Sequence, residues 1–144
     1  MPPVREILIG RRSDDHLLLT VRGRLYPEGD DADWLWTSLS VRVGGFGCQQ
    51  EGNLRAEELR SLRAALEALV DGAVSTAALA TEDRWLAIEL SAASEAAVDA
   101  RIEVHDDASP PNELRCGLAD LERASLIATI ESLTDVERAY PAIV

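Results

Sequence analysis

From His16 to Leu25 apolar and polar positions alternate, with Leu17, Leu19, Val21 and Leu25 on one side and Leu18, Thr20, Arg22 and Arg24 on the other. Side chains of a strand point to opposite faces in turn, so this period predicts a strand with one buried and one wet face. The period returns at Leu35, Leu39, Val41 and Val43, at Leu86, Ile88 and Leu90, at Val98, Ala100, Ile102 and Val104, and at Leu114, Cys116 and Leu118. Weaker strands are expected at Glu6 to Ile9, near Phe46 to Glu51 and near Ser75 to Ala80. Helical spacing replaces the alternation twice. From about Arg55 to Asp71, Leu59, Leu62, Leu66, Leu69 and Val70 fall on one stripe, Glu57 and Glu58 complement the dipole of the first turn, and Gly72 marks a stop. From about Asp120, an N-cap residue, to Asp135, the stripe is Leu126, Ile127, Ile130 and Leu133.

Turn chemistry separates these runs at Ser13-Asp14-Asp15, Tyr26 to Asp33, Gly44-Gly45, Ser94-Glu95 and Asp106 to Asn112. There is no repeat and no linker, so residues 1–144 are expected to form one domain. Alternating strands favour an antiparallel sheet covered on one side. The expected architecture is therefore α+β in two layers: a mostly antiparallel sheet of about six to eight strands, with both helices on one face and the other left to water or a partner.

At 144 residues and 47% hydrophobic composition, the chain can bury a core of ordinary size. No apolar run is long enough to span a bilayer and the N-terminus lacks an export signal, which predicts a cytoplasmic location. Cys48 and Cys116 then read as small buried side chains rather than a disulfide. The formal charge is −12, and every basic residue is arginine. Such an acidic excess argues against nucleic acid and anionic membranes and suits a cationic partner, although acidity also simply aids solubility.

Catalysis needs a nucleophile or base gathered with a group that orients it, and the sequence supplies no such constellation. His16 and His105 fall by parity on wet faces with no ligand at metal-binding spacing. The run Glu103, His105, Asp106, Asp107 would need a further ligand from elsewhere to hold a divalent ion, and a solvated strand end accounts for it more simply. Asp30, Asp31 and Asp33 fail the spacing of a calcium loop. Gly44-Gly45-Phe46-Gly47 is followed by Cys48-Gln49-Gln50 rather than a phosphate-binding helix start, so it reads as a tight turn. No catalytic residue, cofactor or metal is expected.

The tryptophans carry more information. If Leu35, Leu39, Val41 and Val43 face the core, Trp34 and Trp36 face away with Ser38, Ser40 and Arg42; the same rule puts Trp85 off the core. Aromatics on a wet face act as interface anchors. Beside them, Asp30, Asp31 and Asp33 complete an expected docking patch for a basic surface. Two arrangements stay open: exposed indoles, or indoles covered by the Tyr26 to Asp33 loop.

The stretch Asp33 to Gly47 (DWLWTSLSVRVGGFG), the helix opening Asn53 to Leu59, the strand Trp85 to Leu90 and the segment Asn112-Glu113-Leu114 resemble the bacterial immunity-protein family paired with wall-associated, Rhs-type polymorphic toxins. The resemblance covers roughly Ile7 to the C-terminus. It implies a non-enzymatic protein that binds and neutralises a co-encoded toxin in the cytoplasm, and it brings no catalytic residues. Here the acidic Glu28 to Asp33 replaces the aromatic-rich loop of relatives. The alternative is a non-catalytic scaffold or homo-oligomeric module, such as a homodimer that buries the open sheet face.

Overall fold

The computed structural model describes residues 4–26 and 28–143. Eight strands and two helices form the α+β architecture, all strand pairs being antiparallel. The strands divide into two four-stranded sheets. Strands β1 (Arg5–Gly10), β2 (His16–Arg24), β3 (Trp34–Val43) and β4 (Phe46–Arg55) make the first, in sequence order. Strands β5 (Thr76–Ala80), β6 (Leu86–Ala92), β7 (Ala97–His105) and β8 (Glu113–Glu122) make the second, also in order. Between them in sequence lies helix α1 (Ala56–Val70), and helix α2 (Leu126–Ala139) closes the chain.

The alternation explains the core. Ile7, Ile9, Leu17, Leu19, Leu35, Leu39 and Val41 from the first sheet, and Leu79, Leu86, Ile88, Leu90, Ile102 and Leu118 from the second, join one buried cluster with Leu59, Leu62, Leu66 and Leu69 of α1 and Leu126, Leu133 and Val136 of α2, whereas Ile127, expected in the second stripe, is 48% exposed. The helices pack on each other; α2 also lies against β1 and α1 against β5, so the pair spans the gap between the two sheet edges. Each sheet keeps an outward, wetter face.

Three local features set boundaries that propensity alone misses. Helix α1 opens with the carboxylate of Glu58 accepting the Arg55 N–H at 2.7 Å, one half of a capping box, since a guanidinium has no acceptor to offer the N3 N–H in return. The second helix starts at Leu126 and not at Asp120. Asp120 has a left-handed φ of 56°, its N–H is taken by Asp99 Oδ1 at 3.0 Å, and β8 runs on to Glu122 before a single 3-10 turn at Arg123–Ser125. Arg123 then donates to Leu69 O at the end of α1 and to Ser94 O in the β6–β7 turn, tying three elements together. Gly44, with φ 60°, and Gly45 make the two-residue turn expected between β3 and β4.

Candidate partner-binding surface

Strand register builds the outer face of the first sheet. Trp36 lies opposite Gly23 on one side and Asn53 on the other; Ser38 lies between Thr20 and Glu51, and Ser40 between Leu18 and Gln49. Trp36 is 44% exposed. The guanidinium of Arg22 stands 5.8 Å from its ring centroid, and Arg22 Nε donates to Ser38 Oγ at 2.6 Å. Trp34 is half-buried under Arg55, whose guanidinium is 4.6 Å from the ring, close enough for a cation–π contact. Trp34 and Trp36 thus share the wet face that alternation assigns them.

Among the described residues, the loop before β3 leaves Trp36 44% exposed. It folds into a 3-10 turn, Asp30–Asp33, and is pinned to the C-terminal segment instead. Arg24 donates to Ala32 O at 2.5 Å and to Pro141 O at 3.0 Å, with its guanidinium 5.7 Å from the Tyr140 ring. The Ile143 N–H donates to Asp33 Oδ1 at 2.9 Å. Asp33 is consequently 1% exposed, a carboxylate turned inward to hold the chain end rather than outward to meet a partner. Asp31 is exposed, and the side chain of Asp30 lies outside the described residues. Asp33 is therefore withdrawn from the acid-and-indole patch expected from the sequence, while Asp31 stays exposed.

Trp85 departs from expectation more sharply. It is 8% exposed and belongs to the core cluster. Its Nε1–H donates to Asn53 O at 2.8 Å, and its ring lies so close to Gly52 that a Cβ there would come within 2.3 Å of it. The alternation of β6 begins only at Leu86; ahead of it Arg84, with φ 59°, turns the chain, so parity does not extend back to the indole. A ring packed on β4 and 8% exposed is not the outward-facing indole that parity assigned.

Among the titratable groups, His16 is also buried, 9% exposed, with Nδ1–H donating to Asp14 O at 2.7 Å, although parity put it on the wet side. Side chains of Glu103, His105 and Glu113 offer metal-ligating atoms within 4.8 Å of one another. Arg115 already bridges both carboxylates: its Nε lies 3.0 Å from Glu103 Oε1 and is hydrogen-bonded to Glu113 Oε1. That bond holds the Glu113 carboxyl below its ordinary range and raises the Arg115 guanidinium. Asp106, from the same run, turns to its own loop, accepting from Asn112 Nδ2 and from the N–H groups of Asn112 and Ala108, which lowers its pKa. The cluster is an ion network on the face of the second sheet in which one guanidinium is shared by two carboxylates. Cys48 and Cys116 are free thiols, half-buried, and burial pushes both up from the ordinary thiol value.

The charge of the chain is unevenly placed. Residues 1–55 hold eight acids and seven arginines, whereas residues 56–144 hold eighteen acids and seven arginines, so the halves carry −1 and −11. No helix among the described residues is long and apolar enough to cross a membrane.

In comparison with known proteins, residues 7–141 match the family model described as the Immunity protein WapI-like family. No curated protein and no solved structure matches the chain.

Proposed function

Because the chain belongs to the Immunity protein WapI-like family, we propose that it neutralises a co-encoded polymorphic toxin by binding it directly in the cytoplasm, without catalysis of its own. The observation that carries the reading to a place on the molecule is Trp36, a large aromatic left 44% exposed on a strand face by the same register that buries Leu35 and Thr37 on either side of it. Such side chains act as anchors because burying them in a partner removes much apolar area at little conformational cost. Trp34 lies on the same face, two positions along β3 from Trp36. A toxin with a basic surface would be steered by the −11 half of the chain, which is a long-range effect separate from the anchor.

The test is co-purification and calorimetry with the toxin domain encoded beside this gene, together with rescue of cells producing that toxin. Trp36→Ala is expected to weaken the complex by about 2 kcal/mol or more, the range of a true anchor. A wild-type protein that neither binds the toxin nor rescues cells would refute the reading. Sedimentation of the protein alone measures the homodimer arrangement: a dimer that hides Trp36 should dissociate when the toxin binds.

A further inference from the structure

The register that exposes Trp36 also decides what surrounds it. Outward positions of the four strands carry three arginines, Arg22, Arg42 and Arg55, against two carboxylates, Glu51 and a Glu6 already paired with Arg12. This is a basic island on a chain of net charge −12. Arg55 is taken up by Trp34 and by Glu82, 3.4 Å from its Nε. Arg22 and Arg42 have no carboxylate within ion-pair distance among the described residues.

Arg22 is also held ready. The register shift between Val21 and Gly23 places it, Ser38 accepts from its Nε, and its Cζ stands 5.8 Å from the Trp36 ring centroid. Its terminal amino groups have no hydrogen-bond or ion-pair partner among the described residues, and a guanidinium held at Nε matches a carboxylate at reduced entropic cost. Beside the indole the strand offers Gly23, where an added Cβ would meet nothing within 4 Å. That is open space on the strand position paired with the exposed ring. Along β3, six positions from Trp36 or about 20 Å, Arg42 marks the far end of a face floored by Ser38, Ser40 and Gln49. There Asp14 and Asp15 border the same hollow, with Asp15 Oδ1 accepting the Gly44 N–H, so Arg22 carries the stronger claim.

We propose that this face receives a carboxylate-bearing segment of the toxin, with an apolar side chain over Gly23 against Trp36 and a carboxylate on Arg22. The proposal rests on the toxin-binding reading above and reverses, for this face, the charge sign that the net −12 suggests. It makes the contact surface and the acidic half of the chain separate devices, one for holding and one for steering.

Indole N–H resonances of the nitrogen-15-labelled protein report the three tryptophans individually. A peptide of alternating glutamate and serine around one leucine is expected to move the Trp36 signal and leave Trp85 in place, whereas its lysine counterpart should move signals of residues 56–143 and spare Trp36. Arg22→Gln should weaken the glutamate peptide about tenfold, the loss of one charge-assisted hydrogen bond. Gly23→Leu, which has room to fold, should abolish the shift while leaving the melting temperature intact. A Trp36 signal that ignores the glutamate peptide, or follows the lysine peptide equally, overturns the assignment. With the toxin, equal binding by wild type and Gly23→Leu would overturn the face while neutralisation stands. A toxin that fails to bind a protein still responsive to the glutamate peptide would refute neutralisation and keep the carboxylate preference.

Discussion

Trp36 and Trp85 both stand beside alternating apolar runs, yet one ring lies open on the first sheet and the other is sealed between the sheets. The difference is what each ring faces. Trp36 sits within β3, flanked by Gly23 and Asn53 in register, with Arg22 over its ring and 44% of the residue exposed. Trp85 sits one residue ahead of β6, after a left-handed Arg84, and meets a glycine of the other sheet. Periodicity states which side of its own strand a side chain takes, but not whether another layer covers that side. The most direct way to sharpen the contrast is to remove each ring. Trp85→Ala is expected to cost about 3–5 kcal/mol of stability in denaturant unfolding, the range for a core aromatic, and to leave the Asn53 carbonyl without its donor. A loss below about 1 kcal/mol would mean that the ring is not part of the core.

The partner position gives the next largest effect. Gly52 carries no side chain because the Trp85 ring occupies the space a Cβ would need. Gly52→Ala should therefore cost about 1–3 kcal/mol through overpacking, and in the Trp85→Ala background the same substitution should be nearly free. That coupling, read from a double-mutant cycle, separates a steric clash from a general weakness of β4. Trp36→Ala lies at the other extreme: stability within about 0.5 kcal/mol of wild type, as for exposed positions, alongside the large loss of toxin affinity expected above. A destabilised Trp36→Ala protein would erase the distinction between the two tryptophans.

The same contrast shows how much of the molecule was legible in its sequence. The strands, helix α1, the Gly44-Gly45 turn and the wet placement of Trp34 and Trp36 follow from period and turn chemistry, which are local. The division into two sheets does not, because β1 to β4 and β5 to β8 carry the same alternation and nothing in it says where pairing stops. Asp120 has the residue type of an N-cap but serves β8, since Asp99 on the neighbouring strand claims its N–H. Asp33 looked like a surface acid, and its partner is the backbone of Ile143, 110 residues away. Each miss is a contact between distant segments. The one available signal was Gly52, a glycine inside a strand, which often marks the close approach of another group.

Trp34 lies between the two extremes, half-buried under Arg55, and the electrostatics of that corner give the smallest test. Glu58 accepts the Arg55 N–H, yet its pKa is raised, chiefly because burial disfavours the charged form, with Glu82 adding repulsion and the Arg55 bond opposing. A carboxyl whose folded pKa lies above its ordinary value of 4.5 holds its proton longer in the folded state than in the unfolded one. Its contribution to stability is thus complete below that value and is lost as pH rises through the folded pKa. Glu58→Gln keeps an oxygen for the Arg55 N–H and removes the charge, so it should stabilise the protein near neutral pH by less than about 1 kcal/mol, as befits a partly exposed group. The advantage should vanish as pH falls below the ordinary carboxylate range. Parallel melts across that interval measure it. If the wild type instead gains on the variant as pH rises, the helix dipole and the Arg55 bond outweigh burial, and the corner around Trp34 behaves as open surface, like the face of Trp36.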